Sequence, residues 1–431
     1  MNWIFRYRFY RFLRSSMWIV PIASMIIAIL LLQILRWVDH VYAPRVLGFG
    51  IEGARNVLTM IAASMLSLLV FAFSALLITV QLASAQLTPR IIAGLATGGR
   101  PVKYTIGLVM LTYTLSIGVL GRSESVVLQF STALCALLSL ASIAVFLYLM
   151  DYWIKALRPV SVMAVVGADA IRVIDEIYPY PLPSTPVAAE APARSLSGAT
   201  TLVHQGHSGV LLAADLSGLS RQAVAASGVI ELVPRIGDYI AVGEPLFRLY
   251  DGAAKLDAHA LSRALAFGPE RTIQQDPMFA FRILVDIAVK ALSPAINDPT
   301  TAVLALDQLH RLLRRIGERR LDTEEILDER GEHGLLFRTP DWDEYVMLAT
   351  SEVRNFGATS LLVVQRLREL LTNLIAVLPA PRRPALETQL RLLDAAAMRV
   401  FPDVEDREFA GVVACSSGAS KNGQGPVASS G

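Results

Sequence analysis

The chain has 431 residues, of which 54% are hydrophobic and only 18% charged, with a formal net charge of +2 and a mean hydropathy of +0.49. An ordinary globular chain is about a quarter charged, so these values exclude a disordered or collagen-like polypeptide and a nucleic-acid binder acting through bulk basicity. Cys135 and Cys415 alone cannot form a disulfide scaffold.

The near-neutral total hides a division. Residues 1–150 hold 11 Lys/Arg and 3 Asp/Glu, a balance of +8, whereas residues 151–431 hold 28 and 34, a balance of −6. Residues 1–16 form a basic N-terminal segment with Arg6, Arg8, Arg11 and Arg14 and no acid. Residues 17–158 then contain four apolar runs, Met17–Val38, Val57–Leu82, Val102–Leu120 and Ser125–Met150. Each is long enough to cross a hydrocarbon core of about 30 Å, which takes roughly 20 helical residues. The first run is too long for a signal peptide and no cleavage site follows it promptly, so it reads as an uncleaved membrane helix.

Basic residues sit in the N-terminal segment, in the second connection (Arg90, Arg100, Lys103) and after the fourth run (Lys155, Arg158). The first connection balances Arg45 and Arg55 with Asp39 and Glu52, and the third is the short Gly121–Glu124 turn. The positive-inside rule places the N-terminus and everything after Met150 in the cytoplasm. No ionisable residue falls at mid-membrane, which argues against proton relays and voltage sensing.

The runs carry polar stripes instead. Ser125, Gln129, Thr132, Cys135, Ser139 and Ser142 share one face of the fourth helix. Ser67, Ser74 and Gln81 repeat every seven residues in the second, with Ser64 nearby, and Thr105, Thr112 and Ser116 recur in the third. Two readings stand: close helix packing with hydroxyls bonded across the interface, or an aqueous path lined by Ser67, Ser74, Gln81, Gln129, Thr132 and Ser139. Four helices would enclose such a path only by association, so the second reading carries a homo-oligomer with it.

Residues 159–197 read as a helix to Ile177 followed by a Pro- and Ala-rich linker. Residues 198–256 hold clear strand patterns, Ser208–Leu212 and Val229–Val233, with a short helix opened by Asp215 between them. The spacing Gly237-Asp238-x-Ile240-x-x-Gly243-x-Pro245-Leu246 resembles half of a lipoyl- or biotinyl-type barrel sandwich, but the carrier lysine is absent. Residues 257–410 are helical in pattern. Asp276-Pro277 and Asp298-Pro299 each supply an N-cap and a proline at the first helical position. Val364, Leu367, Leu371, Leu374 and Leu378, then Leu386, Leu390, Leu393, Ala397 and Val400, match a bundle core better than a coiled coil, since each pattern lasts only about two heptads. The acidic stretch Asp322–Glu332 reads as a solvated helix or loop, and residues 411–431 as a disordered tail.

The most distinctive stretch runs from Arg271-Thr272 through Gln275-Asp276-Pro277 and Asp286-Ile287-Ala288 to Ala291-Leu-Ser-Pro-Ala-Ile-Asn-Asp-Pro-Thr-Thr-Ala302. Together with the Gly237-Asp238 turn and Gln86–Arg90, it resembles the bacterial predicted membrane proteins grouped as domain of unknown function (DUF) 2254. The resemblance implies a multi-pass protein of the bacterial inner membrane and brings no activity with it. Read on chemistry alone, Arg282, Asp286 and Lys290 form a charged face at i, i+4, i+8. They are either a solvated ion-pair ladder or, with Arg271, Asn297, Asp298 and Thr301, a pocket for a small polar ligand. No Gly-x-Ser-x-Gly elbow, phosphate loop or His-Glu-x-x-His motif occurs, and His204-x-x-His207 lacks a third ligand nearby.

The expected architecture is an α-helical membrane protein with four transmembrane helices and an α+β cytoplasmic domain made of a small β module plus a helical bundle. The lipid bilayer is its expected partner, together with further copies of itself and a small ligand or a protein on the cytoplasmic side. No cofactor, metal or nucleic acid is called for.

Overall fold

In the computed structural model the described residues are 3, 5, 6, 12, 13, 16–42, 50–86, 100–121, 128–156, 158–182, 198–321, 325–327 and 333–411. Four helices are long and apolar enough to cross a membrane: α1 (Ile19–Tyr42), α2 (Ile51–Gln86), α3 (Arg100–Leu120) and α4 (Gln129–Ala156). At 36 residues, α2 is about 54 Å long and extends well past a core of about 30 Å. The central element is α3, half buried (50% of its membrane window against 17–22% for the others), with α1, α2 and α4 packed around it. A Cβ on Gly118 would stand 2.2 Å from Leu32 Cδ1, so the absent side chain is what lets α1 approach α3. Leu30, Met60, Leu140 and Ile154 point outward, as lipid-facing side chains do.

Two polar contacts tie the helices together. Thr112 and Ser142, both buried, place their hydroxyl oxygens 3.1 Å apart between α3 and α4. At the far end of α1, the buried Asp39 accepts hydrogen bonds from the Phe130 N–H (3.0 Å), the Ser131 N–H (3.1 Å) and the Ser131 hydroxyl. Asp39 thereby serves as the N-cap of α4 from another helix, satisfying N–H groups that the first turn leaves without partners.

Beyond the membrane helices, α5 (Pro159–Ile177) begins with proline at its first turn. It buries Val162, Met163, Val166, Ala170 and Ile174 against α8 (Pro277–Ala291) and α9 (Pro299–Gly317). These join α10 (Trp342–Gly357), α11 (Leu361–Val377) and α12 (Arg383–Val400) around one apolar core, with the short α13 (Val404–Phe409) following. Leu367, Leu371, Leu374, Leu386, Leu393 and Ala397 are all buried in it, so the two-heptad patterns are the inner faces of a bundle. Asp276, Asp298 and Asp341 start α8, α9 and α10 by accepting from the N–H groups of Phe279, Thr301 and Glu344. Glu344 also reaches back to the Asp341 N–H at 3.0 Å, completing a capping box.

The β portion comprises β1 (Thr200–Val203), β2 (Gly209–Ala214), β3 (Gly228–Leu232), β4 (Tyr239–Ile240), β5 (Pro245–Asp251), β6 (Leu265–Gly268), β7 (Glu325–Leu327) and β8 (Gly334–Phe337). Helix α6 (Leu216–Ala225) lies between β2 and β3, and α7 (Ala258–Ser262) precedes β6. One sheet has the order β1-β5-β3-β8-β7 and the other β4-β2-β6, with β3 and β8 the parallel pair. The sheets therefore take β6, β7 and β8 from within residues 257–410, the stretch whose pattern reads as helical. The reason is burial: Leu335 of β8 is fully enclosed in the core formed by Ile230, Phe247 and Leu249. Part of the acidic stretch thus becomes a strand, since Glu325–Leu327 pairs with β8, while 322–324 and 328–332 lie outside the described residues. So do most of the Pro/Ala linker, Ser125 and the tail after Gly411.

Where β5 ends, Ser227 and Asp251 both adopt left-handed backbone (φ 50° and 54°) beside the paired positions 228 and 251. Gly252 fits against this corner because a Cβ there would lie 1.8 Å from the Ala226 carbonyl oxygen. Gly252→Ala is expected to lower stability by about 1–3 kcal/mol, since backbone must move on both sides. Denaturant or thermal unfolding checks this, and an unchanged midpoint would contradict the close approach.

Candidate functional site

The helical bundle and the sheets meet around a cavity of about 990 Å³. Several pieces of chain build its wall. The end of α5 brings Glu176, Ile177, Pro179 and Tyr180; the β2–α6 corner brings Asp215, Leu216 and Ser217; Gln274 and Gln275 precede α8; and Arg320, Glu325, Ile326 and Phe337 come from the end of α9 and the β7–β8 pair. Trp3, from the N-terminal segment, also lines it.

Local chemistry holds these pieces in place. Asp175 takes two 2.8 Å hydrogen bonds from Arg315 and one of 2.7 Å from Arg319. The Arg315 hydrogen bond leads in holding the Asp175 carboxyl below the usual carboxylate range. The residues just after α5 are zipped to the end of α9: the Leu182 N–H donates to the Glu318 carbonyl (2.8 Å) and the Arg320 N–H to the Tyr180 carbonyl (3.0 Å). The start of the Pro-rich segment is therefore a structural clamp. On the opposite wall, the Ala214 N–H donates to Gln275 Oε1 at 3.0 Å, fastening β2 to the approach of α8.

A second, smaller cavity of about 40 Å³ adjoins the first, and Leu216, Ile236, Gln275 and Phe337 line both. Its floor is a buried polar cluster. Asp276 accepts from Arg271 Nε (2.8 Å) and from the Phe279 N–H (3.1 Å), and its salt bridge to Arg271 Nη2 measures 2.6 Å. Burial pushes the Asp276 carboxyl above its ordinary range, against the pull of Arg271. Gly237 (φ +99°) packs directly onto this pair, and a Cβ there would meet Asp276 Oδ2 at 2.5 Å. Nearby, the Tyr178 and Tyr345 hydroxyls lie 3.4 Å apart, and burial pushes Tyr178 up to about 12. Arg235, two residues before Gly237, donates to both Glu344 oxygens at 2.7 and 2.9 Å. It thus links the β module to the first turn of α10.

The residues singled out from sequence fall into separate places. Arg271 belongs to this cluster. Asn297, Asp298 and Thr301 lie beyond the other end of α8, whose 15 residues span about 22 Å, so Arg271 and this trio do not share a pocket. Asn297 is left-handed (φ 47°) and exposed. Asp298 accepts from the Thr301 N–H and hydroxyl at 3.1 and 2.5 Å, and the Thr301 hydroxyl leads in holding its carboxyl below the ordinary range. Between the two ends, Arg282 pairs with Asp286 at 2.8 Å and with Glu352 of α10 at 2.6 Å. Lys290 follows, partly buried, on the last turn of α8.

Among the membrane residues, Thr132 is buried, Gln129 and Ser139 are partly covered, and Ser67, Ser74 and Gln81 face outward on α2. These six do not line one common space within a single chain. Among the described residues no group of three or more His, Cys, Asp or Glu is placed to hold a metal ion. His204 is buried with Nε2 2.9 Å from the His207 carbonyl oxygen, its ring against Phe267.

Tyr178, Tyr345 and Arg235 escape a reading of the chain alone, which reaches Gln275 only as part of the Gln275-Asp276-Pro277 stretch. The one trace of the others is that Arg235 precedes the Gly237-Asp238 turn. Two of the stretches that carry the family resemblance, 237–238 and 271–277, are brought together by the fold at this junction.

The family described as predicted membrane protein (DUF2254) matches residues 14–373. Uncharacterised proteins of Mycobacterium tuberculosis and Mycobacterium bovis are each 26% identical to the chain over 413 residues, covering 92% of it and 79% of their own length. No solved structure matches.

Proposed function

The chain belongs to the DUF2254 family of predicted membrane proteins, and from that premise we propose a membrane-anchored sensor whose junction cavity binds a small polar ligand. The observation that carries the reading is the cavity of about 990 Å³ walled by both the sheets and the end of α5, the helix that follows the last membrane segment. A pocket of this size suits a metabolite-sized molecule. A ligand bridging α5, the β2–α6 corner and the β7–β8 pair would change how the large domain sits on α5, and so bias the membrane helices. In this reading the protein lies in the bacterial inner membrane, with its N-terminus and large domain in the cytoplasm. Trp3 at the cavity wall supports one part of that topology, a shared side for the N-terminus and the large domain.

The test is thermal unfolding of the full chain in detergent against a panel of nucleotides, amino acids and dicarboxylates, beside Ser217→Trp, which fills the cavity. A ligand at about a hundred times its Kd adds about 2.7 kcal/mol, or about 5–10 °C for a domain of this size. The expected result is such a shift in the parent chain and its loss in Ser217→Trp. A shift of equal size in a folded Ser217→Trp would contradict the reading.

A second reading, an oligomeric channel-like protein, is favoured by one observation: Ser67, Ser74 and Gln81 of α2 are exposed on a helix that its own chain covers least. A path would then lie between copies, with α2 facing the axis. A monomeric state in detergent and no ion flux after reconstitution would remove it.

A further inference from the structure

One end of the helical bundle can be traced to the membrane. Helix α4 ends at Ala156 and α5 begins at Pro159, so chain length holds the two ends within about 11 Å. Helix α9 runs parallel to α5: Gly167 stands against Gln308, and Asp175 binds Arg315 and Arg319. The first turn of α9 is therefore level with the first turn of α5, and the α8–α9 turn before it shares that end. So does the α10–α11 turn, because a Cβ on Gly357 would stand 3.3 Å from Leu292 Cδ1.

What these turns expose is apolar. Pro294, Ala295 and Ile296 stand out from the first, Phe356 and Leu362 flank the second, and Val160 is exposed at the start of α5. The backbone of the first turn is closed on itself. The N–H groups of Ser293, Ile296, Asn297 and Asp298 donate to carbonyls at 3.1, 3.0, 2.8 and 2.8 Å, and Pro294 and Pro299 have none to donate. The Ser293 hydroxyl is spent on the Lys290 carbonyl at 2.7 Å, and the Asp298 carboxylate on Thr301. Little of this turn calls for water, which suits immersion in a poorly hydrated layer.

We propose that this end of the domain docks on the bilayer that the chain itself spans, with Ile296, Phe356 and Leu362 seated at the boundary between headgroups and acyl chains. The stretch 291–302, the most distinctive of the chain, is then a membrane-facing knuckle. Lipid is the occupant because a connection of about 11 Å leaves no room for a folded partner, whose radius of gyration is about 13 Å at 100 residues. Since α4 already tethers the domain, docking is intramolecular and brings no second molecule together. Partial burial of three apolar side chains favours the docked position on the order of a hundred-fold. Docking holds whether or not the junction cavity takes a ligand.

The experiment uses the full chain in phosphatidylcholine nanodiscs, with Cys415→Ser removing the tail thiol and Cys135 buried. Bimane is attached through Ile296→Cys or Phe356→Cys. Val377→Cys, exposed at the end of α11 and so at the opposite end of the bundle, is the reference. Lipids carrying a nitroxide high on the acyl chain are expected to quench the first two about three-fold and the reference hardly at all. Adding Phe356→Glu and Leu362→Glu to Ile296→Cys should remove most of that quenching while the unfolding midpoint holds, since both side chains are exposed. Quenching at 296 and 356 no greater than at 377 would overturn the docking, and quenching unchanged by the two glutamates would overturn the apolar seat. Shielding of the label from aqueous iodide without quenching by lipid would mean that a second copy or another protein covers this end, and would overturn the assignment to lipid.

Discussion

Arg271→Ala is expected to cost about 3 kcal/mol of stability, a loss that deepens as pH rises. The mutation leaves Asp276, only 4% exposed, as a buried carboxylate without its cation. Breaking such a pair costs about 3–5 kcal/mol, and the low end applies because the Arg271 side chain is 34% exposed. Burial already holds the Asp276 carboxyl above its ordinary range, so the folded state disfavours its charged form. A folded-state pKa above the unfolded one means a contribution fully present below the unfolded pKa and lost as pH climbs through the folded value. Removing Arg271 raises that folded value further. The deficit should therefore narrow at about pH 5 and widen toward about pH 8. Adding Asp276→Asn to Arg271→Ala removes the charge while keeping a good N-cap residue, and should recover much of the loss at the higher pH. Thermal unfolding across that range decides the matter; a deficit independent of pH would show that Asp276 is not the group left stranded.

Asp39→Ala should cost about 2–4 kcal/mol and loosen the start of α4. One carboxylate accepts two backbone N–H groups and a hydroxyl there, and hydrogen bonds to a charged acceptor contribute about 1.5–3 kcal/mol each before compensation by water. Asp39→Asn keeps an acceptor and should recover part of the loss. Hydrogen exchange at Phe130 and Ser131, with the unfolding midpoint in detergent, measures the effect. Unchanged protection in Asp39→Ala would mean that water or lipid headgroups satisfy those groups equally well.

Much of the local structure was legible in the chain. The Asp276-Pro277 and Asp298-Pro299 helix starts, the Asp215 cap and the inner faces of α11 and α12 all stand where spacing puts them. Each depends on residues within one or two turns of one another. The site was legible only in pieces. Arg271 and the Asn297–Thr301 turn look like one constellation because a helix separates them in sequence by few residues, yet that helix holds them rigidly apart. Conversely, Gly237 and Asp276 touch across a separation that no periodicity can bridge.

The amino-acid sequence by itself determined four membrane-spanning helices, a basic segment before them and a large α+β domain after them. Hydrocarbon thickness, charge placement and helix capping act on short stretches, so composition suffices to read them. Only the tertiary structure decided that β8 pairs in parallel with β3, that Asp39 caps α4, and that Trp3, α5, the β2–α6 corner and Gln275 enclose one cavity. These rest on contacts between distant residues, whose energy comes from burial and from satisfying polar groups once the chain has closed on itself.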